Sequence, residues 1–293
     1  IVLGDDGRKA SKSLRNFPDP MEMYLKYGSD AVRWSLMSSP VLRGGNLIVS
    51  EESIRESVRH VILPLWNTWY FFSLYAGTCN KGAGYEAQPL DLADPGVVGG
   101  LHVMDRYILS RTATLAAETR KALEDYHIAD ACQLIRDYLD ALTNWYVRTS
   151  RDRFWEEDAR AFDTLATALD VLAKVMAPLL PMVSEEVWRG LTGGRSVHLT
   201  DWPDRPETAV DAELVAAMDE VREVVSATHA LRKANRLRVR QPLRRLSVVS
   251  ANPEALDPFT ALIASEVNVK EVALADAASS GLEVTRELTL NPR

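Results

Sequence analysis

Three successive runs between Leu101 and Met176 carry apolar residues every three or four positions, and only short breaks separate them. The runs are Leu101 to Asp125, Ile128 to Trp155 and Arg160 to Met176. In the second, Ile128, Cys132, Ile135, Leu139, Leu142 and Tyr146 share one helical face; in the third, Phe162, Leu165, Leu169, Leu172 and Met176 do. A helix with one apolar stripe must bury it against a neighbour. Short connections make consecutive helices antiparallel neighbours. The expected fold is therefore mainly α, an antiparallel helical bundle.

The flanking sequence adds to this frame. Ile1 to Leu3 reads as a short strand with more chain before it. Met21 to Tyr27 and Asp30 to Met37 read as helices, the first closed by Gly28 and the second capped by Ser29 or Asp30. Ser50 to Tyr75 is helical, with Pro64 expected to kink or break it. Trp66, Trp69, Tyr70, Phe71 and Phe72, together with Trp188 and Trp202, are expected in the core. Residues 77–100, rich in Gly, read as a loop. Pro178 and Pro181 end the third long run, and Ser184 opens a helix closed by Gly193 and Gly194. After a helix from Asp211 to Ala234 the period changes. Leu243 to Val249, Val267 to Ala273 and Leu282 to Leu290 read as strands around a helix from Pro253 to Ser265, a small C-terminal α+β unit. The expected division is residues 1–48, a helical domain over 49–205, and 206–293.

The 293 residues are 46% hydrophobic and 26% charged, which excludes global disorder. With 34 Lys+Arg against 41 Asp+Glu the net charge is −7, a mild argument against nucleic acid for the chain as a whole. Two cysteines, Cys79 and Cys132, make neither a disulfide framework nor a zinc motif, so a reducing cytoplasmic setting and no bound metal are expected. No apolar run is long enough for a membrane span.

Charge is unevenly distributed. Arg8 to Asn16 carries four positive charges and no negative one. Lys9 and Lys12, with the Ser11 and Ser13 hydroxyls, suit a polyphosphate. The end of the second run interleaves Arg148, Arg151 and Arg153 with Trp145, Tyr146, Phe154 and Trp155, a composition suited to phosphates and unstacked bases. Leu231 to Arg245 holds seven positive charges and no negative one, which suggests a patch for an RNA backbone.

Lys9-Ala10-Ser11-Lys12-Ser13 resembles the Lys-Met-Ser-Lys-Ser signature of class I aminoacyl-tRNA synthetases, with Ala10 at the Met position. The stretch from Leu14 to Pro20 and from Tyr27 to Trp34 resembles the family's next segment, which leads into the anticodon-binding bundle. Leu63 to Phe72, Asn144-Trp145-Tyr146-Val147-Arg148, Arg153-Phe154-Trp155, Ser196 to Pro203 and Leu231-Arg232-Lys233 with Leu237 to Leu243 resemble the isoleucyl branch, with the valyl branch as the near alternative. A second alternative is a non-catalytic RNA-binding module derived from a synthetase, against which the intact signature loop argues. The resemblance covers essentially the whole chain.

The implications of this resemblance are specific. Lys12 would contact the ATP phosphates while isoleucine is activated, with Lys9, Ser11 and Ser13 supporting the closed loop and Mg2+ accompanying ATP in the full enzyme. Isoleucine tRNA would be the partner, held by Asn144, Trp145, Arg148, Arg151, Arg153, Arg232, Lys233, Arg236, Arg238 and Arg240. The family's His-Ile-Gly-His signature and editing insertion are not among these residues. The chain by itself is thus expected to bind tRNA as a monomer and not to catalyse.

Overall fold

In the computed structural model, which describes residues 2–4, 6–11, 13–204, 210–276 and 286–291, Asp19 starts the first helix. Its carboxylate accepts from the backbone N–H groups of Met21 and Glu22, and Pro20 takes the first position of α1 (Pro20–Tyr27). Gly28, at φ 83°, ends α1 and leads directly into α2 (Ser29–Met37). The N-cap of α2 is thus Gly28 rather than Ser29 or Asp30. Asp30 has a different role: its Oδ2 accepts from the N–H groups of Met182 (3.0 Å) and Val183 (2.8 Å), at the start of a distant helix. Arg33 donates to the Pro178 carbonyl at 2.8 Å, so α2 is tied to the bundle at two points.

β1 (Val2–Leu3) pairs in parallel with β2 (Leu47–Ile48). The Ser50 hydroxyl caps α3 (Glu51–Ser57) by accepting from Ser53 N–H. Pro64 does not break the helix it sits in. A π-helical turn, Val58–Ile62, precedes α4 (Leu63–Gly82), and Leu63 N–H reaches back to the Val58 carbonyl. The wider turn gives the proline ring room where an α-turn would press it on the carbonyl four residues earlier. Regular helix in α4 stops before Cys79, and Asn80 and Lys81 are left-handed (φ 54° and 59°). Within the expected 77–100 loop, Asp94 caps a short α5 (Pro95–Gly99).

The bundle itself is α6 (Val103–Glu124), α7 (Ile128–Asp140), α9 (Ala159–Met176) and α10 (Pro181–Thr192) with α4. The single helix expected over 128–155 is interrupted. A π-helical turn occupies Ala141–Val147, a turn falls at Ser150, and α8 (Arg151–Trp155) comes next. α10 begins at Pro181, not Ser184, because a proline without N–H fits the first helical position. The expected stripes are the core: Ile135, Leu142, Tyr146, Phe162, Leu165, Leu169, Leu172 and Met176 are 0% exposed. Trp188 is buried and Trp69 and Trp202 are half-buried, but Trp66 (40%) and Tyr70 (58%) face outward. α4 covers the bundle with one side only, so not every aromatic in it can be inside.

Residues Ile1–Val210 and Asp211–Arg293 form two compact units. In the second, Asp211 caps α11 (Ala212–Ala234). A three-stranded sheet has the order β4–β3–β5, with β3 (Leu243–Ser250) parallel to β4 (Val269–Asp276) and antiparallel to β5 (Arg286–Asn291). The connection from β3 to β4 contains α12 (Pro253–Leu256) and α13 (Thr260–Val267). Leu243, Leu246, Val248, Val221, Val224, Ile263 and Val267 form its interior. No helix among the described residues is long and apolar enough to cross a membrane.

Candidate nucleic-acid interface

The basic loop is a closed turn organised by Asn16. Its Oδ1 accepts from Ser11 N–H (2.9 Å), and its Nδ2 donates to Asp6 Oδ1 (2.9 Å) and the Lys9 carbonyl (3.3 Å). The Asn16 bond holds the Asp6 carboxyl below its ordinary range, helped by Arg8 N–H. Gly4 is buried beneath the turn, where an added Cβ would lie 2.0 Å from the Asn16 carbonyl oxygen. Lys9 is exposed, and the Ser11 and Ser13 hydroxyls are 2.7 Å apart. Lys12 lies outside the described residues. Asn16 was inside the motif read from the sequence, but its three local bonds appear only in the folded turn.

Between α2, the α3–α4 segment and α7 runs a groove of about 1100 Å³. Arg59, His60, Asn67, Arg136, Asn144 and Arg151 line it, opposed by Glu56 and Asp140. Glu56 lies 2.7 Å from His60 and 3.9 Å from Arg59. Asp140 accepts from Asn144 Nδ2 at 2.7 Å. Arg136 donates to Gln133, and its buried Nε has no hydrogen-bond partner among the described residues. Arg151 is exposed and has no hydrogen-bond or ion-pair partner among the described residues. Both π-helical turns border the groove: Arg59, His60 and Val61 come from one, Thr143, Asn144 and Val147 from the other. Of these groups the sequence singled out only Asn144 and Arg151. A signal for more was present, since Arg136, Asp140, Thr143 and Asn144 make a polar stripe at helical spacing.

Three residues expected at the interface are not available to a ligand. Arg153 is drawn inward. It makes a bidentate pair with Asp105 (2.8 and 2.6 Å), a further bond to Asp158 (2.8 Å), and is 17% exposed against 0% for Asp105. Burial works against its charge, but the Asp105 bonds and charge outweigh it and raise the guanidinium above its ordinary value. Tyr146 completes the cluster by donating to Asp105 at 2.8 Å; burial, then the Asp105 charge, push its hydroxyl well up. Trp145 is 3% exposed, with Arg148 over its ring at 5.5 Å. Arg232 is 0% exposed and donates to four backbone carbonyls, those of Arg238, Gln241, Val267 and Asn268 (2.7 to 3.1 Å). It clips the end of α11 to the loops flanking the sheet, and burial lowers its pKa.

The other expected residues are on the surface. Asn144, Arg148 and Arg151 are exposed in the first unit. Arg148 donates from Nε to the Asn144 carbonyl at 2.8 Å. In the second unit Lys233, Arg236, Arg238 and Arg240 are all exposed around the turn after α11, where Arg236 is left-handed at φ 57°. Arg245 is paired with Glu271. Among the described residues no cluster of three or more His, Cys, Asp or Glu could hold a metal ion, and both cysteines are buried thiols.

Known proteins share this arrangement of sequence and fold. Residues 105–249 match the family described as anticodon-binding domain of tRNA ligase, and residues 1–47 match tRNA synthetases class I (I, L, M and V). Isoleucine–tRNA ligase of Bifidobacterium longum (strain NCC 2705) is 52% identical over 308 residues, covering 100% of this chain and 28% of the relative. That of Mycobacterium tuberculosis (strain CDC 1551 / Oshkosh) is 53% identical over 293 residues, covering 100% of this chain and 27% of the relative. The chain thus spans little more than a quarter of the relatives it matches. A crystal structure of the ternary complex of Agrobacterium radiobacter K84 agnB2 LeuRS-tRNA-LeuAMS shares the fold, with a TM-score of 0.56 and 22% identity over 73% of this chain and 24% of that one.

Proposed function

Since the chain belongs to the class I tRNA synthetases and is homologous from end to end to isoleucine–tRNA ligases, we propose that it is the tRNA-holding part of such an enzyme. The observation that carries this is the groove with Arg59, Arg136 and the unpartnered Arg151, in a chain whose overall charge is negative. An acidic protein that leaves the Arg151 guanidinium without a counter-charge in a groove with two further arginines has a place there for a polyanion. Asn144, Arg148 and Arg151 in the first unit, and Lys233, Arg236, Arg238 and Arg240 in the second, are the groups assigned to the RNA. Isoleucine tRNA is the partner favoured over valine tRNA, because the relatives described are isoleucine ligases.

The Lys9–Ser13 loop serves the ATP phosphates only when the rest of the synthetase supplies the nucleotide and isoleucine pockets. Lys12 then stabilises charge on the leaving phosphate, Lys9, Ser11 and Ser13 hold the turn, and Mg2+ arrives with ATP. The setting is the cytoplasm, where Cys79 and Cys132 stay reduced, and the working form is a monomer.

The test is direct. The 293-residue chain should bind isoleucine tRNA more tightly than valine tRNA, with an affinity that falls steeply with salt, and should make no isoleucyl-adenylate. Equal and salt-insensitive binding of both tRNAs, or none, would refute the assignment. In a full-length ligase bearing this segment, Lys12→Ala should slow ATP–pyrophosphate exchange by about a hundredfold or more. Unchanged exchange would remove Lys12 from the reaction.

A further inference from the structure

The chain that leaves α11 spends its carbonyls on the protein and leaves its cations in water. At the helix end the carbonyls of Leu231, Arg232 and Lys233 accept from the N–H groups of Asn235, Leu237 and Arg236 (2.8 to 3.1 Å). Residues 238–241 then make a tight turn, closed by Gln241 N–H on the Arg238 carbonyl at 3.0 Å. Arg232 Nη1 donates to the carbonyls of Arg238 and Gln241, and Asn268 Nδ2 donates to the Val239 carbonyl between them at 2.9 Å. The N–H groups of Arg238, Val239 and Arg240 have no hydrogen-bond partner among the described residues. Arg232 is 0% exposed, and no carboxylate pairs with it among the described residues. Other exposed arginines are paired: Arg43 with Asp130, Arg55 with Glu52, Arg120 with Glu124, Arg245 with Glu271. Lys233, Arg236, Arg238 and Arg240 are exposed and have no ion-pair partner among the described residues.

We infer that the 238–241 turn is a seat for one phosphate of the RNA backbone, taken by its unpartnered N–H groups with Arg238 and Arg240, and that Arg232 and Asn268 are positioning residues that hold it. This rests on the RNA-binding reading above and adds which groups share a phosphate and what orders them. Arginine side chains and backbone N–H groups both serve as phosphate donors, and such contacts fix register without reading sequence. A carbonyl left facing the phosphate would repel it. Drawing three of them onto Arg232 and Asn268 removes that repulsion, and the buried guanidinium adds its own charge behind the turn. A turn bolted before binding also loses less freedom when the phosphate arrives.

The experiment uses the 293-residue chain and isoleucine tRNA, with affinities measured from about 50 to 200 mM salt. Two substitutions keep the net charge and disturb only the hold on the turn. Asn268 is left-handed at φ 51°, a conformation glycine adopts freely, so Asn268→Gly keeps the backbone bonds there and deletes the one to Val239. It should raise the tRNA Kd by about 2- to 10-fold with little change in melting temperature. Arg232→Lys, measured well below its melting point, should weaken binding further and reduce the salt slope by about one although no charge is lost. Arg238→Gln combined with Arg240→Gln should also reduce the slope by about one, not two, because the pair shares one phosphate. In that background Asn268→Gly should have no further effect. If the parent chain binds tRNA and Asn268→Gly leaves Kd unchanged, or weakens binding equally with and without Arg238 and Arg240, the turn seats no phosphate and the inference is overturned alone. No binding by the parent chain overturns both readings.

Discussion

Arg153→Met separates a structural arginine from an RNA-contacting one. The Asp105 carboxylate is fully buried and accepts two bonds from Arg153 and one from Tyr146. Removing the guanidinium leaves a buried carboxylate that keeps the Tyr146 hydroxyl but has lost its counter-charge. Breaking a buried pair from one side costs about 3–5 kcal/mol, much of it the penalty of the abandoned charge. The Asp158 bond adds little, since that carboxylate is partly in water. For a unit of this size about 1 kcal/mol moves the melting temperature by 2–4 °C, so the expected drop is about 6–20 °C. Asp105→Leu combined with Arg153→Met should recover most of it, because both charges leave together and Tyr146 keeps the Ala161 carbonyl at 3.4 Å. Calorimetry on the two singles and the double gives the coupling, and tRNA affinity measured well below each melting point should be nearly unchanged. A stable Arg153→Met protein that binds tRNA about tenfold more weakly, a difference of about 1.4 kcal/mol, would refute the reasoning and return Arg153 to the interface.

Other parts of the structure make further outcomes testable. Arg232→Met should destabilise the second unit by at least about 3 kcal/mol, since four carbonyls lose their donor, and Arg232→Lys should restore only part, its compact ammonium being unable to span them; chemical denaturation checks it, and a wild-type midpoint contradicts it. Asn16→Ala should make the segment around residues 4–16 at least about ten times more sensitive to limited proteolysis while the melting temperature holds, since it removes three bonds from an exposed turn; equal digestion rates contradict it. His102 Nδ1 accepts from Met104 N–H at 3.2 Å, and burial, then the charge of Arg153, lowers its pKa from 6.5. The unfolded chain therefore binds the proton first, so stability is complete above pH 6.5 and declines as pH falls through and below it. His102→Asn keeps the cap and should flatten that part of the urea-midpoint profile; an unchanged slope would place the titration elsewhere.

The bundle was legible because its stripes are local: Ile135, Leu139 and Leu142 announce the core of α7 by spacing alone. Ser50 as a cap and Gly28 and Gly193 as stops are consequences of side-chain and backbone chemistry within a few positions. The interface was legible in composition and not in orientation. Arg153 and Arg151 differ by two positions, yet Asp105, which pulls one of them inward, is 48 positions away. Arg232 could not be told from Lys233 without the carbonyls of Val267 and Asn268, which the chain returns only after β3 is laid down. Trp145, expected at the interface, is buried for a different reason: the α-helical phase counted from Ile128 does not survive the π-helical turn at Ala141–Val147 and the break at Ser150.

Those π-helical turns make the groove a matter of counting as well as chemistry. Each holds one residue more than the α-turn it replaces, and the wider turn takes that residue up, so the sequence phase slips by one position while the helix beyond keeps its face. Deleting one residue between Val58 and Ile62 would let that stretch return to ordinary α geometry and would leave Asn67 and Phe71 on the wall they share. A substitution scan changes the groove one side chain at a time and leaves its outline standing. A single-residue deletion in the turn would remove only its local bulge, so homologues one residue shorter here should present the same lining side chains beyond it.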